Sequence, residues 1–248
     1  MTNTFERLVA LDEAHNVRDL GGYATAAQGM TRWRSLLRGD ALHRLTEADI
    51  ERLLAIGVST VIDLRNAQET AAEENPFRTH ASVRFHNVSL FEALAPAAMA
   101  LSANGHSFDM AARYRDALDN CQPAIAAVLR AIADAPDGIV LFHCTAGKDR
   151  TGIIAALLLS LAGVAEEIIA DDYALTATIS GPLIGRLRER ALGRGTEPDL
   201  VERMLACEPE TMRTTLDHLR DIYGGTTVYL ATLGLDPAEQ DRLRQRLG

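Results

Sequence analysis

Residues 143–152 read His-Cys-Thr-Ala-Gly-Lys-Asp-Arg-Thr-Gly. Cys144 and Arg150 are separated by five small or polar residues, and Thr151 follows directly. A cysteine attacks as its thiolate, and a helix N-terminus or a nearby cation favours that form. The electrophile this spacing suits is phosphorus. Arg150 offers a planar fork that can hold two equatorial oxygens of a phosphoryl group. The backbone N–H groups of Thr145, Ala146, Gly147 and Lys148 can curl into a nest around the same anion. Donors placed this way also stabilise the charge that gathers on those oxygens in the transition state.

The residues around the pair divide the remaining work. Gly147 lets the backbone approach the anion at positive φ. Thr151 can donate its hydroxyl to the sulfur and help it leave a phosphoenzyme. His143 either orients the loop through a backbone bond or is a satisfied core histidine. Gly152, one turn into the following helix, is expected to permit close packing on a sheet. Lys148 is a second cation in the loop. It is either solvated, the usual fate of lysine, or a contact to a further phosphate or carboxylate on a larger substrate. Two carboxylates compete to protonate the leaving oxygen. Asp149 lies inside the loop beside Arg150, and geometry favours it. Asp63 ends a predicted strand, where α/β sheets gather active-site groups. Its alternative is to partner Arg65 or cap a helix. Arg65 itself reads as a further substrate contact or a surface ion pair.

These residues need a scaffold. The apolar run Gly138 to Phe142 reads as a strand entering the loop, and Ile153 to Ala165 as a buried helix leaving it. That helix points its positive end at Cys144. Upstream, Asn16 to Tyr23 reads as a turn bending at Gly21-Gly22, and Arg32 to Leu37 as a short strand. Thr46 caps a helix ending at Ile56, with Gly57 as its stop. Val58 to Leu64 and Val83 to Val88 read as strands, which is βαβ grammar. Gln122 to Ala133 has the period of a helix. Beyond Ala165 helices are expected over 166–178, 182–192, 200–206, 210–223 and 237–247. The pattern predicts an α/β fold: a central, mostly parallel sheet flanked by helices, with a helix-rich C-terminal part. One domain is expected over 1–248, with a helical extension at 182–248. Residues 91–118 are Ala-rich, broken at Asn104-Gly105 and helical from Phe108. They could cover the site as a lid, with Arg113 and Tyr114 as substrate contacts or as plain packing residues.

Composition narrows the partners. With 25 basic against 34 acidic residues the net charge is −9. That argues against nucleic acid or an anionic membrane as a bulk partner, so any phosphate site is a local positive spot. Three cysteines, one of them the nucleophile, make no disulfide framework. Cys121 and Cys207 read as small buried hydrophobes. No leader with a basic and then an apolar stretch is visible, and Ile153 to Ala165 is too short to span a bilayer. A cytoplasmic location is expected, with leaderless secretion as the alternative. No metal-ligand spacing of His or Cys is evident, so neither metal nor cofactor is expected.

At these residues the chain resembles the cysteine-dependent protein-tyrosine phosphatase superfamily, whose pattern is His-Cys, five residues, Arg, then Ser or Thr. It is most similar to a bacterial branch of mycobacterial and lipid-phosphatase-like enzymes. The resemblance extends to Ala146-Gly147-Lys148-Asp149, to Asn16-Val17-Arg18-Asp19-Leu20-Gly21-Gly22-Tyr23, and to Val61-Ile62-Asp63-Leu64-Arg65 followed by Glu69. It implies a metal-free phosphomonoesterase with a phosphocysteine intermediate. The implied substrates are phosphotyrosine, and with it phosphoserine, phosphothreonine or phosphoinositides. One departure stands out. Many such enzymes take their acid from a Trp-Pro-Asp loop, but the one tryptophan here, Trp33, has no Asp closely following it. Related phosphoinositide phosphatases are thought to use an Asp at the position of Asp149. Two other classes fit less well. A phosphate-holding module without turnover would not need Cys144, Asp149, Arg150 and Thr151 together. A sulfurtransferase or arsenate reductase would not need the phosphate fork, and a reductase would need a resolving thiol near Cys144.

Overall fold

The computed structural model describes residues 7–91, 94–95, 98–99 and 108–248. At its centre lies a run with no polar face. Ile139 to His143 is buried at every position and forms β5 (Ile139–His143), as a parallel strand covered on both sides should be. Val140 and Phe142 enter one core, Ile139 and Leu141 the other, because successive side chains alternate across a sheet. Burying each such side chain contributes about 1.5–3 kcal/mol. β2 (Leu36–Gly39) and β3 (Val58–Asp63) run parallel to β5 on its two sides. β4 (Arg84–Asn87) extends the sheet beyond β3, and β1 (Arg18–Asp19) pairs antiparallel with β2. The order is β1-β2-β5-β3-β4, a mostly parallel sheet with helices on both faces.

Register gives this sheet a working edge. Gly39, His143 and Asp63 share one row across β2, β5 and β3. The three strands end together, so the loops that follow them converge at the carboxyl edge, where such sheets build their sites.

On one face α1 (Glu47–Ala55) places Leu53 in the smaller core with Phe77. Thr46 caps it reciprocally with Asp49, and the Asp49 carboxylate also accepts the N–H groups of Asp12 and Glu13. The other face carries α3 (Met110–Asn120), α4 (Gln122–Ala133) and α5 (Asp149–Leu161). Six more helices follow: α6 (Glu166–Ile179), α7 (Gly181–Gly193), α8 (Pro198–Leu205), α9 (Pro209–Tyr223), α10 (Thr226–Thr232) and α11 (Pro237–Leu247). Leu200, Met212, Leu219, Tyr229 and Leu243 belong to the same cluster as Phe142 and Ile154, so these later helices share the main core. Among the described residues no helix is long and apolar enough to cross a membrane.

Some elements differ from the sequence pattern. β2 sits later than Arg32 to Leu37, and the turn read at Asn16 to Tyr23 contains β1. α2 (Ala67–Ala72) buries one side chain, Thr70, too few for any periodicity. Its signal is the reciprocal cap between Asn66 and Glu69. α10 follows Gly224-Gly225, which reads as punctuation alone. Of the lid expected at 91–118, residues 92–93, 96–97 and 100–107 lie outside the described residues. Of the part that is described, Leu94 and Met99 lie in the core, and α3 turns Met110, Tyr114, Ala117 and Leu118 into it.

Candidate active site

Cys144 directly follows β5 and is 1% exposed. The four carbonyls after it are all tied to groups outside the loop. His143 Nδ1 donates to Cys144 O at 3.1 Å. The Ala41 N–H donates to Thr145 O at 3.1 Å, Asn16 Nδ2 to Ala146 O at 2.8 Å, and Arg38 Nη2 to Gly147 O at 2.7 Å. A trans peptide unit points its N–H opposite to its C=O. The N–H groups of Thr145, Ala146, Gly147 and Lys148 therefore face the other way, and among the described residues none of them donates to a protein acceptor. This is an anion nest. Gly147 has φ +66°, and a Cβ there would lie 2.6 Å from Gly39 O, so no larger residue fits.

The helix behind the nest adds to its field. α5 has no side-chain cap on its N-terminus, which leaves its first-turn donors and positive dipole end available to an anion. Arg150 presents two edges. Nη1 and Nη2 donate to Glu69 Oε2 and Oε1 at 2.6 and 2.7 Å. Nε is buried without a protein partner, as is Thr151 Oγ1. Glu69 also accepts the Thr145 hydroxyl and the Asn66 N–H of its own cap. Burial draws the Glu69 carboxyl up, but Arg150, with the Thr145 hydroxyl and the Asn66 N–H, holds it below the usual carboxylate range. Burial draws Arg150 down, and the bonds to Glu69 with the charge of Cys144 raise it above its ordinary value. Arg150 is thus a fixed cation with one edge free.

The two candidate acids sit in different surroundings. Asp63 is fully buried and accepts from Arg65 Nη2 at 2.7 Å, Arg65 Nε at 3.0 Å and Asn75 Nδ2 at 3.1 Å. Its Oδ2 lies 3.5 Å from His143 Nε2. Burial pushes its carboxyl up, yet the hydrogen bonds and positive charge that Arg65 brings help hold it down at about 2. Asn75 Nδ2 also donates to His143 Nε2 at 2.8 Å, while its Oδ1 accepts from the Phe77 N–H. His143 is therefore the neutral Nδ1–H tautomer, consistent with burial depressing its pKa despite Asp63 nearby. Arg65 is 0% exposed. Asp149, at the first turn of α5, accepts from Tyr114 Oη at 2.6 Å and lies 3.2 Å from Lys148 Nζ. The Lys148 ammonium donates to the carbonyls of Met204 and Ala206, where α8 ends. It reaches inward to that helix end and not to solvent.

Support for the loop comes from residues with no obvious chemistry in the sequence. Asp172 on α6 binds Arg18 Nε at 3.0 Å, Arg38 Nη1 at 2.6 Å and Tyr23 Oη at 2.8 Å. Burial raises its carboxyl, and the two arginines overcome this and hold it far below the ordinary range. Arg38 links this cluster to Gly147 O, and Arg18 links it to the Asn16 side chain. The Asn16 to Tyr23 segment is thus the underside of the anion nest. Gly152 lies closest to α6, where a Cβ would meet Tyr173 Cδ2 at 3.2 Å, and beside the sheet, where it would meet Arg38 Nη2 of β2 at 3.7 Å.

The sequence profile described as the tyrosine phosphatase family matches residues 9–248. A tyrosine-protein phosphatase of Nostoc commune is 35% identical over 221 residues, covering 86% of this chain and 74% of that one. The triple specificity protein phosphatase PtpB of Mycobacterium tuberculosis is 26% identical over 273 residues, covering 94% of this chain and 96% of its own. Among solved structures, P. aeruginosa TpbA covers 82% of this chain and 99% of its own, with a TM-score of 0.42 and 19% identity. With the profile spanning nearly the whole chain and a relative this similar, the protein belongs to the tyrosine phosphatase family.

Proposed function

We propose that this phosphatase hydrolyses its monoesters at Cys144, through a phosphocysteine intermediate. The observation that carries the reading is the set of donors around the sulfur: four N–H groups facing away from their tied carbonyls, with Arg150 Nε and Thr151 Oγ1 buried and unpaired. An anion with three equatorial oxygens satisfies such a set. In the first step the Cys144 thiolate forms the S–P bond as the P–O bond breaks, and Asp149 gives its proton to the leaving oxygen. In the second, water attacks phosphorus and passes a proton back to Asp149. The S–P bond breaks, and Thr151 donates to the departing sulfur. Asp63 and Arg65 act as a structural pair beneath the loop, and Lys148 ties the loop to the end of α8. Neither assignment needs contact with substrate.

Phosphotyrosine is the first substrate in this reading. Phosphoserine, phosphothreonine and phosphoinositides follow, the wider panel being motivated by the name of the mycobacterial relative. Three free cysteines suit a reducing compartment such as the cytoplasm. The test is turnover of p-nitrophenyl phosphate with chelator present, for the native chain and Cys144→Ser. Native activity that persists under chelation and vanishes in Cys144→Ser is expected. A native protein that binds vanadate but never turns over would replace this reading with a phosphate-holding module.

A further inference from the structure

Asp149 does not stand alone. Tyr114 on α3 donates its hydroxyl to Asp149 Oδ1, and the Tyr173 hydroxyl on α6 lies 3.0 Å from that of Tyr114. An ionised carboxylate only accepts, so Tyr114 donates to Asp149 and Tyr173 donates to Tyr114. Both hydroxyls are held in the protonated form. Burial and the Asp149 charge push each well above the ordinary tyrosine value. The rings meet edge to face, with centroids 6.0 Å apart, and the Tyr173 ring lies against Gly152 of α5. Lys148 Nζ approaches the same Oδ1. Oδ1 thus accepts one hydrogen bond and faces one ammonium, while among the described residues Oδ2 accepts no hydrogen bond.

We infer that Tyr114, backed by Tyr173, is a positioning residue that holds the Asp149 carboxyl by Oδ1 and so confines its proton to Oδ2. The inference rests on Asp149 being the general acid. With Oδ1 accepting from Tyr114 and facing the Lys148 ammonium, a proton added there would displace the donor and meet a like charge. Oδ2 is the one place it can sit, ready for the leaving oxygen. The charged and titratable groups facing Asp149 are Lys148 and Arg150 from its own segment, Tyr114 from α3, Tyr173 from α6 and Cys207 beyond α8. Of these, the tyrosines are the ones whose hydroxyl can be deleted with the ring kept.

The test compares native protein, Tyr114→Phe, Tyr173→Phe and Asp149→Asn on aryl phosphates of graded leaving-group acidity, with kcat followed against pH. Tyr114→Phe is expected to lose about tenfold in kcat on phenyl phosphate with KM unchanged. The loss should shrink as the leaving group improves. The alkaline limb of kcat should move to higher pH, because the deleted donor stabilised the carboxylate over the acid. Tyr173→Phe should shift both in the same direction by less, and it serves if Tyr114→Phe folds poorly. A loss equal for every leaving group, with the limb unmoved, would make Tyr114 a packing residue and overturn the inference. If Asp149→Asn itself shows no dependence on the leaving group, it is the assignment of the acid that fails, and the inference falls with it.

Discussion

Two carboxylates flank the loop at similar depth, one where β3 ends and one where α5 begins. Asp63 takes a guanidinium and an amide beside a neutral imidazole, and is held down at about 2. Asp149 takes one phenol and one ammonium on a single oxygen. The contrast lies in how many donors each carboxylate meets and on how many of its oxygens. A carboxyl whose oxygens are saturated by donors stays ionised, and one with an open oxygen can carry a proton.

The comparison can be broken at either end. The largest effect expected is on Asp149→Asn, which should slow kcat on poor leaving groups by roughly 10²–10³ while sparing activated ones. A flat dependence on leaving-group acidity would move the acid elsewhere. Asp63→Asn should instead leave that dependence unchanged and cost about 3–5 kcal/mol of stability, because it strands the buried Arg65 charge. Denaturant melts of the two variants separate the cases.

The acid limb of native stability sharpens the same point. The folded pKa of Asp63 is depressed to about 2 from 3.8, a difference worth about 2 kcal/mol. That contribution is complete above pH ~4 and is lost as pH falls toward 2, and Asp63→Asn should remove this part of the acid-unfolding curve. Asn75→Ala is the mildest probe. It deletes one donor to Asp63 and one to His143, at about 1–3 kcal/mol, with catalysis kept. A large loss of kcat in that variant would mean that the cluster beneath the loop acts in the chemistry.

Much of the loop was legible because its information is local. Strand, glycine, cysteine, arginine and helix start lie within fifteen consecutive residues, and each type has a physical reason to be there. What braces the loop was marked only by the resemblance, which took in Glu69 and Asn16 to Tyr23 without giving them a role. Arg38, Asp172 and Glu69 are far from Cys144 in the chain, and a pairing of charges at long separation leaves no period to detect. The available hints were the Asn66 to Glu69 cap and the density of polar groups in Asn16 to Tyr23, a segment too short for either period. Lys148 shows the opposite failure. Its neighbours in sequence point to substrate, but its ammonium reaches carbonyls 56 and 58 residues away. Tyr114 reads as a substrate contact or a plain packing residue; it is fully buried, and its hydroxyl donates to Asp149.

The uncapped start of α5 has a thermodynamic consequence. Donors left unpaired for the reacting phosphoryl group are just as open to the product. Inorganic phosphate should therefore slow turnover and raise the melting temperature together, both set by one dissociation constant through RT ln(1 + [L]/Kd). Product inhibition and ligand-induced stability are then one property, and a buffer chosen to keep this protein folded would also be one that keeps it idle.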